Sequence, residues 1–328
     1  YLSLGPVPAD NQGIASLIPD LISETSSTFF SALLTNQNQE ISVRAIQDSA
    51  SIIVRNATVE KDGFANLRFS ALANVKPFCP FFPASYHMEG QPPAIAVAIQ
   101  GADEVFLAFE AASNLKDATD TLLRNLEKHA SKLGLIFSDA LAGSRVIFQG
   151  FDFSVAPYPD EKNSLGMALE RLGLPALGYH GSLAACAILT STLDKGTWQR
   201  CGFNGLMLPL LEDSGLSHRS VEEILSMKDL LSYAAVCGTG LDTIPLPGDT
   251  SADQIEAILL DIAALSTRLN KPLTARLLPI PGKKASDLTD FQFEYFSQAK
   301  ILAVEAKPLT RFLKNGQTQI EIQPTRRF

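Results

Sequence analysis

The stretch from Ser232 to Thr250, SYAAVCGTGLDTIPLPGDT, is the part of the sequence around which the rest is organised. An apolar segment ends at Cys237, and the Gly-Thr-Gly of residues 238–240 then opens a tight loop. Asp242 and Asp249 follow, with two prolines between them that stiffen the backbone. Flexible small residues beside a thiol and two carboxylates predict the floor of a small-molecule site, because a plain packing loop needs none of this chemistry.

Composition limits the classes of protein to which the chain can belong. Of its 328 residues, 46% are hydrophobic and 19% are charged, which is enough apolar material for a large core. The net charge of −8 argues against binding to nucleic acid or to a membrane surface. No apolar run approaches the ~20 residues of a membrane span, and no signal peptide is visible. We therefore expect a cytoplasmic protein, and its small-residue helices and apolar loops favour a homodimer.

The four cysteines lie far apart in the sequence and form no CxxC pair: Cys79, Cys186, Cys201 and Cys237. This spacing excludes a cysteine metal quartet and makes a disulfide framework implausible in a chain of this size. Reduced and mostly buried thiols are the simplest interpretation.

Hydrophobic periodicity predicts alternating strands and helices. The pattern predicts a helix within Leu17–Leu34, strands at Ile41–Ile46 and Gly205–Leu211, and a mixed strand-and-turn region around Ser51–Arg55. Further predictions are a helix with Asn114 as its N-cap, a strand at Val146–Val155, a helix at Ser182–Leu193, a helix that begins with a capping box at Ser251 and Gln254 and ends at Asn270, and a strand at Leu273–Pro279.

These elements predict a single α/β domain over residues 1–328, with a large sheet or barrel covered by helices. Tyr1 to Gly5 resembles the tail of a strand that begins outside this numbering, and residues 301–328 predict short strands. The proline- and phenylalanine-rich segment Lys76–His87 predicts an ordered loop over the core. The loops with unusual chemistry mostly follow strands, and that edge of an α/β sheet is where sites usually form.

Cys237 is the first catalytic candidate, because the glycines beside it would let a ligand approach the backbone. The alternative is a buried core thiol, and a nearby Asp242 would raise the pKa of the thiol and weaken it as a nucleophile. The residues that would contact the ligand through this loop are Gly238, Thr239 and Gly240.

Four carboxylates are candidates for acid–base chemistry or for holding a divalent cation such as magnesium or calcium. We assign Asp242 and Asp249 to catalysis and Glu212 and Asp213 to the metal. Helix or turn capping is the competing explanation for Asp249 and Asp213.

Arg276, Lys283 and Lys284 are the candidate ligands for an anion. Arg276 lies in an apolar strand, where an unpaired guanidinium is expensive, so it requires a carboxylate or an anionic ligand. The alternative is an internal ion pair for Arg276 and hydrated lysines for the PGKK loop. Among the histidines, His180 is a candidate proton donor and His87 a candidate ligand contact.

Five blocks carry a resemblance to a known family: FDFSVAPYPDEKNSLGMALERLGL, GSLAACAIL, GLMLPLLED, YAAVCGTGLDTIPLPGDTS and KPLTARLLPIPGKKASD. They resemble the successive blocks of the domain of unknown function 711 family, also called uncharacterised protein family 0210. The resemblance implies an α/β barrel like that of pyruvate formate-lyase and other glycyl radical enzymes, with the loop at Cys237 in the place of their cysteine loop. The glycyl radical motif, which reads like RVxGY, is absent, so the resemblance does not imply radical chemistry.

The leading hypothesis is an enzyme that acts on a small anionic metabolite inside the barrel. The alternative is a non-catalytic ligand-binding or regulatory protein that uses the same pocket. A third interpretation makes the central loops structural and pairs their charges among themselves. The same residue types serve in binding sites and in catalytic sites, so the sequence leaves these alternatives open.

Overall fold

The computed structural model describes residues 1–314 and 318–325 of the 328. It has mixed α/β architecture, which confirms the predicted class. The elements in chain order are β1 (Leu2–Val7), α1 (Gln12–Ala15), α2 (Ile18–Ser23), β2 (Thr28–Leu33), β3 (Ile41–Ser42), α3 (Val43–Asn56), the 3₁₀ helix η1 (Lys61–Arg68), β4 (Phe69–Ala73), β5 (Ala94–Gln100), α4 (Ala102–Ala111), α5 (Leu115–Leu141), β6 (Ile147–Ala156), α6 (Leu165–Glu170), α7 (Ser182–Asp194), α8 (Ser214–Val221), α9 (Met227–Ala234), β7 (Gly240–Pro247), α10 (Ala252–Leu269), β8 (Leu273–Ile280), the 3₁₀ helix η2 (Arg311–Leu313) and β9 (Gln319–Ile320).

The main sheet has five strands in the order β1-β2-β4-β8-β7. Neighbours are parallel except at β4 and β8, which run antiparallel. Strands β5 and β6 form a separate parallel pair, and β3 pairs with β9. Across the described residues the strand pairs form no closed ring.

Two isolated parallel bridges each add a neighbouring segment beside a strand of these sheets. Pro209 pairs with Asp242 beside β7, and Phe151 of β6 pairs with Arg200. The sequence predicts a buried strand at Gly205–Leu211, but this segment makes one bridge, at Pro209, and otherwise contains turns and irregular backbone. Its prolonged apolar character reflects burial rather than strand pairing.

Several helix ends agree with their capping signals. The Ser251 hydroxyl accepts a hydrogen bond from the Gln254 N–H at 3.3 Å, and Gln254 Oε1 accepts one from the Ser251 N–H at 3.0 Å. Helix α10 follows directly. Asn270 ends α10 in the left-handed conformation with φ of 49°. Asn114 caps α5 in the predicted way. Capping chemistry is local, and for that reason the sequence predicts it well.

Three predictions in the first sixty residues are wrong. Leu17–Leu34 divides into the short helix α2 and the strand β2. Ile41–Ile46 begins as the two-residue strand β3 and continues into helix α3, and Ser51–Arg55 lies within α3. The Ser42 hydroxyl accepts a hydrogen bond from the Ala45 N–H at 3.2 Å and starts α3 in the middle of an alternating pattern. The alternation was too short to distinguish a strand from the first turn of a helix.

The two faces of the main sheet differ in chemistry. One face carries Phe30, Ala32, Phe69 and Ala71 into the main core, beside α3. On the other face, strand register places four polar residues in one row across the sheet: Ser31, Ser70, Arg276 and Asp242. Residues in register on neighbouring strands project to the same side, so this row forms a polar strip on one face of the sheet. The candidate site lies at the Asp242 end of this strip.

No helix in the described part of the chain is long and apolar enough to cross a bilayer.

Candidate functional site

An ionic cluster formed by Asp242, Arg276 and Glu212 lies at one end of the polar row. Arg276 Nε lies 2.5 Å from Asp242 Oδ1, and its Nη2 lies 2.7 Å from Glu212 Oε1. The Arg276 and Asp242 side chains are each 11% exposed, so this guanidinium is paired in a largely dry setting. These two carboxylates are the partners that a guanidinium in an apolar strand requires.

A local irregularity in β7 positions Asp242. The β7–β8 register shifts between Leu241 and Ile244, and Thr243, between them, has a positive φ of 46°. That conformation is strained for a β-branched residue, and strained residues and bulges are concentrated at functional sites. The Thr243 hydroxyl is buried, and within the described residues it has no hydrogen-bond partner. The strand therefore bends where the ionic cluster begins.

Glu212 combines burial with access. Burial, together with the charge of Asp242, raises the pKa of its carboxyl group against the lowering effect of Arg276, and the net value is about 7. Yet 26% of the Glu212 side chain is accessible, more than twice the fraction of its two partners. A carboxyl group in this position is half protonated near neutral pH and faces solvent, the combination that a general acid or base requires.

The cluster has one positive charge and two groups that can be negative. Two of the five N–H groups of Arg276 donate to Asp242 and Glu212 among the described residues. The net charge is −1 when Glu212 is ionised and zero when it is protonated. Arg276 thus forms the internal ion pairs that the sequence left open as the alternative to an anionic ligand, and its remaining N–H groups can still donate to a ligand oxygen.

The Cys237 loop packs against protein instead of opening towards a ligand. Cys237 is 1% exposed and belongs to the main core. A Cβ on Gly238 would lie 2.7 Å from Gly205 Cα, and one on Gly240, whose φ is +97°, would lie 2.4 Å from the Thr274 carbonyl oxygen. The glycines permit close approach of backbone to backbone, so the structural alternative explains this loop better than ligand contact does.

Two further groups of hydrogen bonds hold this loop against the protein. The buried Thr239 carbonyl oxygen accepts hydrogen bonds from the Thr274 N–H at 2.7 Å and the Thr274 hydroxyl at 2.9 Å. The Lys271 ammonium donates to the carbonyl oxygens of Ala234, Ala235 and Cys237 at the end of α9. Burial lowers the pKa of Lys271.

Asp249, Lys283 and Lys284 lie at the other end of their strands. Asp249 follows Asp242 by a length of extended chain that spans roughly 20 Å, and it is exposed. The Lys283 carbonyl oxygen accepts from the Gly248 N–H at 3.0 Å, and its ammonium donates to the Leu288 carbonyl oxygen at 3.1 Å. Lys284 is exposed. These three residues gather at a surface loop away from Arg276.

Among the described residues, neither candidate histidine forms a hydrogen bond or an ion pair with the cluster. His87 is exposed, with Nε2 2.9 Å from the Pro92 carbonyl oxygen and its ring edge-on to Phe78 at 5.2 Å. His180 is exposed in the loop before α7. Both lie on loops whose sequence position says little about their place in space.

Asp213 has a structural role at the start of two helices. It is fully buried and accepts hydrogen bonds from the Ser164 hydroxyl at 2.6 Å and from the N–H groups of Leu165 at 2.7 Å, Gly166 at 3.1 Å and Leu216 at 3.0 Å. It therefore caps α8 and holds the start of α6, which is the capping alternative. In residues 1–314 and 318–325, no group of three or more His, Cys, Asp and Glu side chains is arranged to hold a metal ion.

Sequence reasoning missed another buried carboxylate, Asp152 on β6. It accepts hydrogen bonds from the Phe203 N–H at 2.7 Å, the Asn204 N–H at 2.9 Å and the Ser154 hydroxyl. One signal was available, because Gly150-Phe151-Asp152 repeats the pattern of Gly240-Leu241-Asp242. Both glycines have positive φ, and a Cβ on either would meet a carbonyl oxygen of the neighbouring strand or segment within 2.5 Å.

The family profile described as Uncharacterised ACR (DUF711) matches residues 4–297, nearly the whole chain. The chain belongs to this family. The resemblance drawn from the five sequence blocks is thereby confirmed. The UPF0210 protein of Pyrobaculum arsenaticum is 31% identical over 316 residues, which cover 92% of this chain and 68% of that protein.

Two further relatives show the same relation. The UPF0210 protein of Methanopyrus kandleri is 30% identical, and the alignment covers 94% of this chain and 69% of that protein. The relative in Pyrobaculum aerophilum is 35% identical over 260 residues, 76% of this chain and 56% of its own length. The chain thus spans between about half and two thirds of the length of these relatives.

Proposed function

We propose that this DUF711 chain is an enzyme whose reactive centre is the cluster of Glu212, Arg276 and Asp242, acting on a small metabolite that carries a carboxylate or carbonyl oxygen. The observation that carries the proposal is Glu212, an accessible carboxyl group with a pKa raised to about 7 beside a buried guanidinium. Proton transfer at neutral pH requires such a group, and a purely structural ion pair does not.

Each residue of the cluster has a distinct role in this proposal. Asp242 holds Arg276 in place through its Nε at 2.5 Å. The free N–H groups of Arg276 bind and polarise an oxygen of the substrate. Glu212 gives a proton to that oxygen or takes one from a neighbouring atom.

The charge of the cluster makes ligand binding depend on pH. With Glu212 ionised the cluster carries a net negative charge and repels an anion. With Glu212 protonated it is neutral and offers an acidic O–H beside the guanidinium. A carboxylate ligand therefore binds with uptake of a proton, and its affinity rises as the pH falls through about 7, the pKa of Glu212.

Isothermal titration calorimetry with a panel of small mono- and dicarboxylates and monophosphates at pH 6 and pH 8 tests this proposal. A wild-type ligand should bind more tightly at pH 6, and Glu212→Gln, which resembles the protonated carboxyl, should bind it almost equally at both. Glu222→Gln is the matched control, since Glu222 pairs with Arg219 at the surface. The proposal fails if no ligand of the panel binds, or if the pH dependence persists in Glu212→Gln.

Turnover separates an enzyme from a binding or regulatory protein. A ligand found by calorimetry is incubated with the wild type and followed by proton NMR. We expect product with the wild type and none with Glu212→Gln. Saturable binding without product would instead favour the non-catalytic alternative.

The barrel related to glycyl radical enzymes and the homodimer are finer structural proposals. The bridges from Pro209 to Asp242 and from Phe151 to Arg200 support the first, because they add parallel neighbours to β7 and β6. A crystal structure with a ring of strands closed through β1 and β5 would bear it out, and open edges would contradict it. Native mass spectrometry tests the dimer.

A further inference from the structure

A cavity lies on the other face of β7 from Asp242. Its volume is about 500 Å³, and it is enclosed by α9, α10, β7 and the extended chain at 300–309. Leu241 lines it, whereas the next residue, Asp242, belongs to the ionic cluster. Adjacent strand residues face opposite sides, so the cavity is separate from the site proposed above.

The cavity has the size and lining of a small-molecule site. Its volume is within the usual range of about 300–1,000 Å³ for such sites. Apolar side chains from the surrounding elements form most of its wall: Leu225, Met227, Leu231, Leu241, Ile258 and Leu302. Such a wall suits a ligand with an apolar body.

The charged residues at the cavity are mostly neutralised by one another. Lys228 pairs with Glu305, and Lys300 pairs with Glu223 at 2.9 Å. Asp261 of α10 lines the cavity too, but it has no ion pair or hydrogen bond with the described residues. Burial raises the pKa of its carboxyl group. Asp261 is thus the acceptor in this wall that lacks a protein partner among those residues.

We propose that this cavity binds a small amphipathic amine, whose apolar body lies against α9 and β7 and whose ammonium group pairs with Asp261. A carboxylate beside an apolar wall gains a charge-assisted hydrogen bond when an ammonium group arrives. Lys307 also borders the cavity, and both it and Asp261 are exposed. The long side chain of Lys307 can hold its ammonium group out in water, whereas the short side chain of Asp261 keeps its carboxyl group at the wall formed by α10, and for that reason an ammonium ligand is favoured over a carboxylate ligand.

Three probes of matched length test the proposal on the wild-type chain: hexylammonium, 1-hexanol and hexanoate. Binding is measured by calorimetry at pH 7. We expect hexylammonium to bind about tenfold more tightly than hexanol, as one charge-assisted hydrogen bond predicts, and hexanoate to bind most weakly. This comparison requires no variant.

A pair of variants on α10 locates the charge. Asp261→Asn should weaken hexylammonium binding about tenfold and leave hexanol unchanged. Asp253→Asn is the matched control, because Asp253 pairs with Lys314 outside the cavity wall and should leave all three affinities unchanged. Equal binding of hexylammonium and hexanol, preference for hexanoate, or insensitivity to Asp261→Asn would each overturn the proposal.

Discussion

Asp152 on β6 and Asp242 on β7 follow the same Gly-x-Asp pattern but are stabilised in different ways. Asp152 is held by two backbone N–H groups and a hydroxyl, all neutral donors. Asp242 is held by a guanidinium that it shares with Glu212. Burial raises the pKa of Asp152 against the effect of its donors.

This difference indicates which of the two centres has chemistry to offer. Two of the donors of Asp152 are N–H groups of the Cys201–Gly205 backbone, and the carboxylate orders that segment. The Asp242 centre has an accessible acid, Glu212, whose protonation changes the charge of the whole cluster. One centre organises the chain, and the other can exchange a proton with a ligand.

The largest effect is expected from Asp242→Ala, which leaves Arg276 buried with only Glu212 as its partner. We expect a loss of about 3 kcal/mol or more in the free energy of unfolding, measured by urea denaturation. The double variant with Arg276→Met removes the stranded charge and should recover part of that loss. A double variant less stable than Asp242→Ala would contradict the ionic account of this centre.

Asp152→Ala should have a smaller effect of another kind. It leaves the N–H groups of Phe203 and Asn204 without their acceptor, and we expect a loss of about 2 kcal/mol. Asp152→Asn keeps one acceptor oxygen and should lose less. Because neutral donors are involved, the ligand affinities at the Glu212 cluster should stay unchanged in Asp152→Asn, and a change in them would link the two centres.

The pH dependence of stability isolates Glu212. Its pKa is about 7 in the folded chain and 4.5 when unperturbed, so its contribution is fully present below 4.5 and is lost as the pH rises through about 7. Glu212→Gln should reduce the fall in stability between pH 5 and pH 8 by about 1–2 kcal/mol, with allowance for its accessible part. Chemical denaturation at both pH values, with Glu222→Gln alongside, measures this, and equal falls in all three proteins would refute the assignment.

The smallest effect is expected from replacing Lys283 and Lys284 together with alanine. Both lie in a surface loop at the far end of β8. We expect a change in unfolding free energy below about 0.5 kcal/mol and no change in carboxylate affinity. A large loss of ligand affinity would show that these lysines bind the anion, and that the anion lies near them and not at Arg276.

Physical arguments from single residues led to the three residues of the ionic cluster. A guanidinium in an apolar strand requires a carboxylate or an anionic ligand, and the structure shows two carboxylates beside Arg276. Asp242 and Glu212 were found because they lie next to apolar segments. The α/β class and the capped helices α5 and α10 were predicted for the equally local reasons of alternation and capping.

Closeness in sequence misled the rest of the assignment. Asp249 stands seven residues after Asp242, but because the chain between them is extended, the two residues lie roughly 20 Å apart. The glycines around Cys237 signal a close approach without saying whether a ligand or another backbone approaches, and here it is Gly205. The partners of Asp152 lie some fifty residues away in sequence, and nothing local identifies them.

The most direct test of the central claim is a carbon-13 NMR titration of the Glu212 carboxyl group. Its resonance is assigned by its absence in Glu212→Gln, and the spectra are recorded from pH 4 to pH 9. A midpoint near 7 is the predicted result, and it would establish a carboxyl group poised for proton exchange beside Arg276. A midpoint at the ordinary glutamate value near 4.5 would reduce the cluster to a structural ion pair and contradict the proposed function.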